Sequence, residues 1–230
     1  FVPFQTNLGG GQPISIQLPE RPTTAFVEMK SLPKLRHLRV SSGMLDDERA
    51  AEVAQLPALT SLRIDGAISL TDAGVLGGKV AIRGGLTIAG MRTLAKQLDA
   101  LELVSSDLVP ELYEPWLDAG RLRKLILFGD AVAPELLARL ARIPTLRELS
   151  LGGVKYTDAH LQALAGSRIE ILRLEYTEAT VAGMLELPRS LRLLDLRKQT
   201  SREESFRRLE ATMPGLRVLR RGETDATDTD

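Results

Sequence analysis

LRELSL at 146–151, IEILRL at 169–174 and LRLLDL at 191–196 are three copies of one pattern, L-x-x-L-x-L, and they decide the fold. Reading outward from them, the same pattern stands at 122–127 (LRKLIL), 98–103 (LDALEL), 59–64 (LTSLRI) and 35–40 (LRHLRV). Weaker forms are GQPISI at 11–16, GGKVAI at 77–82 and LRVLRR at 216–221. Steps between successive units run from 18 to 25 residues and average about 23, a period that marks a stacked repeat architecture. In L-x-L the two leucines share one side of a strand and the residue between them faces the other way. A strand this short cannot bury its own face, so neighbours must stack into a parallel ladder.

Composition agrees. Leucine supplies 41 of 230 residues while aromatics reach only 4%, which suits similar packing layers repeated many times. An apolar fraction of 43% with 26% charged residues is that of a folded globular chain rather than a disordered one. Thirty basic residues balance thirty acidic ones, so no net field favours nucleic acid or an anionic membrane. The lack of cysteine excludes disulfides, thiolate zinc sites and a cysteine nucleophile. No apolar run is long enough for a membrane-spanning helix, and no cofactor motif is found, so none is expected.

After each strand the pattern predicts a polar turn and a helix. Asp46–Leu56 carries Val53 and Leu56 at helical spacing, and 134–143 carries Leu136, Leu137, Leu140 and Ile143. Ser201 with Glu204 forms a capping-box pattern ahead of Phe206, Leu209 and Met213. Pro33, Pro57, Pro144 and Pro214 close four of these helices. LTDAGV at 70–75 and YTDAHL at 156–161, with YTEATV at 176–181 as a worn copy, place a Thr and an acid at a helix start, where they cap free amides.

Together these features resemble the leucine-rich-repeat family, over about residues 11–221. The T-D-A-x-L element is similar to that of bacterial repeats related to the cysteine-containing and ribonuclease-inhibitor-like subclasses. The resemblance implies an α/β leucine-rich-repeat solenoid of about nine or ten units, curved, with a parallel sheet on the concave side and helices on the convex side. It also implies that function lies on the open strand face. The sequence departs from the family three residues past the last strand leucine, where Asn or Cys is usual. Here stand Gly43, Ala67, Ser106, Asp130, Val154, Thr177 and Gln199, so no side-chain ladder is expected to stitch the turns. A distorted repeat is expected around Gly77, Gly78, Gly84 and Gly85.

No catalytic constellation emerges. His37 and His160 lie 123 residues apart and read as two surface histidines. Gly77-Gly78-Lys79 lacks the spacing and hydroxyl of a phosphate loop, and Asp46, Asp47 and Glu48 read as helix N-terminal acids rather than a cation site. Trp116 and Tyr113 read as a satellite core. On the outward strand positions, His37, Arg39, Arg63, Lys79 and Arg83 form a basic stretch broken by Asp65. Ala100, Val104, Ile126 and Phe128 follow as an apolar patch. The candidate protein-binding residues are therefore Arg39, Arg63, Arg83, Val104, Ile126 and Phe128, with the arginines expected to face an acidic partner surface.

The chain divides by sequence into an N-terminal arm or linker (1–10), a repeat domain (11–221) and an acidic tail (222–230) expected to be disordered. It starts at Phe1 with no secretory pattern, which reads as a processed chain or a segment of something longer, expected in the cytoplasm. The expected function is a non-catalytic protein–protein interaction module with no metal, no nucleic acid and no membrane insertion. The alternative is a recruitment or regulatory module of a larger bacterial enzyme, of ligase or kinase type, whose catalytic domain lies outside this chain.

Overall fold

Alternation of leucine with a variable residue forces two-faced strands, and the computed structural model shows them stacked in register. It describes residues 6–9, 12–17, 32–41, 45–65, 88–105, 113–129, 132–153, 155–199 and 203–223. The chain falls into two units, Phe1–Leu122 and Arg123–Asp230.

In the first unit, β1 (Thr6–Gly9) pairs antiparallel with β2 (Gln12–Gln17), and β2 lies parallel to β3 (His37–Ser41). A helix α1 (Asp47–Val53) leads to β4 (Ser61–Asp65). Then α2 (Ile88–Ala95) leads to β5 (Ala100–Ser105), followed by α3 (Glu114–Ala119). Helix α1 starts where its sequence says it should: the Asp46 carboxylate accepts from the Arg49 backbone N–H at 2.9 Å and from its guanidinium at 2.7 Å. Leu38, Val40, Leu62, Ile64, Leu101 and Leu103 of the strands are all buried, as are Val53, Leu56, Met91 and Leu94 on the helical side. Tyr113 and Trp116 belong to the same core, with at most 1% of either exposed.

One expected rung is missing from this ladder. Ser61 lies opposite Ala100 and Asp65 opposite Val104, so β4 passes directly to β5 with no strand from 77–82 between them. GGKVAI keeps Val80 and Ile82 at its two strand leucine positions, but it follows the preceding unit by 18 residues, the shortest step in the chain. The segment itself lies outside the described residues.

In the second unit the strands are β6 (Lys124–Gly129), β7 (Glu148–Gly152), β8 (Ile171–Glu175), β9 (Leu193–Lys198) and β10 (Arg217–Leu219), each parallel to the next. The intervening helices are α4 (Pro134–Ala141), α5 (Asp158–Gln162), α6 (Val181–Met184) and α7 (Glu203–Thr212). Leu125, Leu127, Leu149, Leu151, Leu172, Leu174, Leu194 and Leu196 form one buried column beneath the strands. Of the C-terminal helix, Phe206 and Leu209 are buried and Met213 only partly so, while the Ser201 cap lies outside the described residues.

Two register details differ from the sequence pattern. A bulge in β9 sets Glu175 opposite Lys198 rather than Arg197. In the last rung Val218 lies opposite Leu194, and Leu219 opposite Asp195, one residue away from the leucine alignment. Val218, which the leucine alignment would turn outward, is buried in this register.

The stitching between turns also differs. At the start of several strands, one carbonyl accepts two successive N–H groups from the next turn. Arg36 serves Thr60 and Ser61, Arg123 serves Arg147 and Glu148, Arg147 serves Glu170 and Ile171, and Glu170 serves Arg192 and Leu193. A side-chain rung exists too, where none was expected. The Gln199 amide, oriented to satisfy both its atoms, donates to the Thr177 carbonyl at 3.2 Å and accepts from the Thr177 N–H at 3.1 Å. The T-D element adds a third link. Asp158 accepts from the Thr180 N–H at 2.6 Å and from its hydroxyl at 2.7 Å, so one repeat's helix-start acid caps the next repeat's helix. Gly183 permits this, since a Cβ there would lie 2.4 Å from the Asp158 carboxylate.

Candidate functional site

The outward side of the first unit's strands carries Arg39, Arg63 and Glu102 directly across from one another, with Asp65 and Val104 one pair further on. Their leucine neighbours are buried, while Arg39, Arg63 and Val104 are half-exposed. Of the basic stretch expected here, Arg39 and Arg63 are paired with acids. Asp65 accepts from Arg39 Nε at 2.5 Å and from Arg63 Nε at 3.0 Å, and the Arg63 guanidinium also meets the Glu102 carboxylate. Opposite charges one strand apart on a shared face settle into a chain of pairs, which removes the excess of positive charge that a list of outward residues suggests. Lys79 and Arg83 lie outside the described residues.

In the second unit, Ile126 and Phe128 alternate with buried Leu125 and Leu127, on outward positions. They are half-buried rather than open. The Phe128 ring lies over Gly152 of the adjacent strand, where an added Cβ would come within 2.3 Å of ring Cδ2. Glycine thus gives the ring a bed on the strand surface instead of a place in the core.

Next to this apolar step is a charged lattice. Glu148 accepts from Lys124 Nζ at 2.9 Å and from the Arg173 guanidinium. Asp195 faces Arg173 Nε at 3.8 Å and takes three bonds from Arg197, two from the guanidinium at 2.6 and 3.0 Å and one from the backbone N–H at 3.0 Å. Lys198 Nζ donates to Glu175 at 2.7 Å. Arg173, Leu174, Glu175, Asp195, Arg197 and Lys198 line a shallow depression of about 420 Å³. Nothing in the leucine spacing joins these residues, because the β9 bulge that brings Lys198 level with Glu175 leaves no mark in it.

His160 is not a surface residue. It is buried, with its ring edge-on to Tyr156 at 5.3 Å. Its Nδ1 accepts from the Thr157 N–H at 3.1 Å, closing a capping box, and its Nε2–H donates to the Val132 carbonyl at 3.0 Å. These bonds require the neutral Nε2–H tautomer. Burial pushes its pKa below the ordinary 6.5, against the opposing pull of the Val132 carbonyl and Glu135. Both nitrogens are committed to the main chain, so the ring offers no base for chemistry. Among the described residues no group of three or more His, Asp or Glu side chains could hold a metal ion, and no helix is long and apolar enough to cross a membrane.

No family model and no curated protein sequence matches the chain. Among solved structures it aligns with a chain of the TLR13–ssRNA13 complex at 20% identity and a TM-score of 0.45, over 85% of this chain and 33% of that one. It also aligns with an internalin, inlF, of Listeria monocytogenes str. 4b F2365 at 14% identity and a TM-score of 0.42, over 95% of this chain and 61% of that one. The chain therefore spans about a third and about three-fifths of the lengths of these two proteins. The architecture rests on the chain's own register: parallel rungs backed by a leucine column and alternating with helices give it the α/β leucine-rich-repeat solenoid fold.

Proposed function

We propose that the chain is a non-catalytic protein-binding module that uses the outward face of its strands. The observation that carries this is Phe128 laid over Gly152 beside Ile126. An aromatic ring and a β-branched side chain on the open side of a strand do not serve the leucine column behind them. Half-exposed apolar groups rimmed by fixed charges are what a partner desolvates as anchors. In the first unit, Arg39, Arg63 and Val104 would contribute to binding, with Arg83 as a further candidate. Because Arg39 and Arg63 are paired with Asp65 and Glu102, the complement there is a surface of both signs rather than an acidic one. We assign the repeats to the T-D-A-x-L kind on the strength of the Thr157 cap and the Asp158–Thr180 link.

The test uses a partner captured by the intact chain. Phe128→Ala should weaken its binding by about 1–3 kcal/mol, a typical anchor effect. An unchanged affinity removes Phe128 from the site.

A further inference from the structure

The turns that lead into the strands of the second unit share one residue type. Just after the first apolar residue of each repeat stand Arg123, Arg147, Glu170, Arg192 and Arg217. Main-chain bonds stack these positions into a column. The Arg147 N–H donates to the Arg123 carbonyl, Glu170 to Arg147, Arg192 to Glu170 and Arg217 to Arg192, at 2.8–2.9 Å. Because β6 to β10 are parallel, the column marks one edge of the sheet, where the strands begin.

The same turns, 142–147, 165–170, 185–192 and 213–217, add Arg142, Arg168 and Arg189, and their acids are Glu170 and Glu186. Seven arginines against two glutamates leave five positive charges in excess. With Arg217 set aside, because it has a partner of its own, the excess is still four. Glu170 is shared, facing Arg147 Nε at 3.3 Å and Arg192 Nε at 4.0 Å. The Arg192 side chain is 80% exposed, and Arg123, Arg142, Arg168 and Arg189 are exposed as well. The chain-wide balance of thirty bases and thirty acids conceals this segregation.

Stability does not call for it. On the open strand face of the same unit, Arg173 lies between Glu148 and Asp195, so opposite charges alternate. On the edge, Arg123 stacks on Arg147 and Arg192 on Arg217, and like charges one rung apart are destabilising. Arg142 stands at the C-cap of α4, where a cation suits the helix dipole. Arg147, Arg189, Arg192 and Arg217 lie five or more residues past their helices, beyond the last turn in which that effect acts.

The chemistry of the row selects its occupant. Arginine presents a planar fork that meets a phosphate with two bonds at once. Four steps of ~4.8 Å make the column about 19 Å long. At one charge per ~1.7 Å, a nucleic-acid duplex carries about eleven phosphate charges over that length. The large hydrophobic residue exposed among those described is Tyr176, past the far end of β8. The edge therefore has neither an apolar anchor for a protein partner nor a ring on which unpaired bases stack. Binding to a duplex backbone needs neither, because released counterions supply its affinity.

We infer that this arginine edge binds the sugar–phosphate backbone of a nucleic-acid duplex without reading its sequence. The edge is separate from the Ile126–Phe128 step, and each can fail without the other.

The probe is a fluorescein-labelled DNA duplex of about 20 base pairs, titrated with the whole chain by anisotropy between about 50 and 200 mM salt. Two unrelated duplex sequences should bind equally, with a slope of log K against log salt between about −3 and −5. Arg123→Gln combined with Arg192→Gln should weaken binding at least about tenfold and make the slope shallower by about two, with the melting temperature kept. Arg139→Gln combined with Arg208→Gln removes the same charge from exposed positions on α4 and α7, and should change affinity less than about twofold. Phe128→Ala should leave duplex binding unchanged. No duplex binding at the lowest salt, or equal losses in the two double variants, would overturn the inference. Preference for one duplex sequence, or for single strands over duplex, would overturn it too. Binding to phosphatidylserine vesicles, or to polyglutamate of equal charge, as tight as to duplex would assign the edge to a membrane or an acidic protein instead, and overturn it as well.

Discussion

Leu149→Ala asks whether the leucine column carries the second unit. Leu149 is fully buried and sits between Leu125 and Leu172 on the flanking strands. The substitution deletes three carbons, a transfer loss of about 2.4 kcal/mol at ~0.8 kcal/mol per carbon. The hole opens in a ladder fixed on both sides by main-chain bonds, including those from the Glu148 N–H to the Arg123 carbonyl and from the Ile171 N–H to the Arg147 carbonyl. Strands so pinned cannot close far onto a void, so the cavity term should be near its upper range, on the order of 1–2 kcal/mol. The expected cost is about 3.5–4.5 kcal/mol, read as a lowered midpoint in urea by both circular dichroism and Trp116 fluorescence. Two probes are needed because a repeat array can lose cooperativity, and Trp116 belongs to the first unit while Leu149 belongs to the second. A cost under about 0.5 kcal/mol would place Leu149 outside a packed core and refute the ladder reasoning.

Three further outcomes follow from the links between repeats. His160 has its pKa lowered on folding, so the unfolded state takes up its proton first as pH falls. The stability it contributes is complete above about pH 6.5 and is lost as pH drops below that value. His160→Gln keeps a capping-box acceptor without the titration, so its unfolding free energy should lose less between pH 7 and 5 than that of wild type; equal losses would exclude His160 as a source. Asp158→Ala removes the cap on Thr180 and should destabilise by about 1 kcal/mol in denaturant melts, whereas no change would mean the bond is replaced by water. Gly152→Val forces the Phe128 ring off its bed, and should shift the ring's NMR resonances while leaving those of Leu125 and Leu172 nearly in place; an unmoved ring would show that it does not lie there.

The leucine spacing was enough to read the parallel ladder, its helices and the outward positions of Arg39, Arg63, Val104, Ile126 and Phe128, because strand alternation is a local rule. What escaped depends on contacts between repeats. His160 looks like a helix-start surface residue until the Val132 carbonyl of the preceding repeat is placed above it. The basic stretch looked uncompensated because Asp65 was counted as an interruption, when its carboxylate sits between two arginines on adjacent strands. The bulge in β9, the shifted register of β10 and the absent rung at 77–82 all preserve local hydrophobicity, and only pairing reveals them.

The central functional claim is that the strand face, and not the helices, meets a partner. Hydroxyl-radical footprinting of the chain, alone and saturated with a captured partner, reads this side chain by side chain. The account predicts that oxidation of Phe128 falls in the complex while that of Leu136 on α4 does not change. Protection confined to α4 and the other helices, with Phe128 oxidised equally in both states, would contradict it.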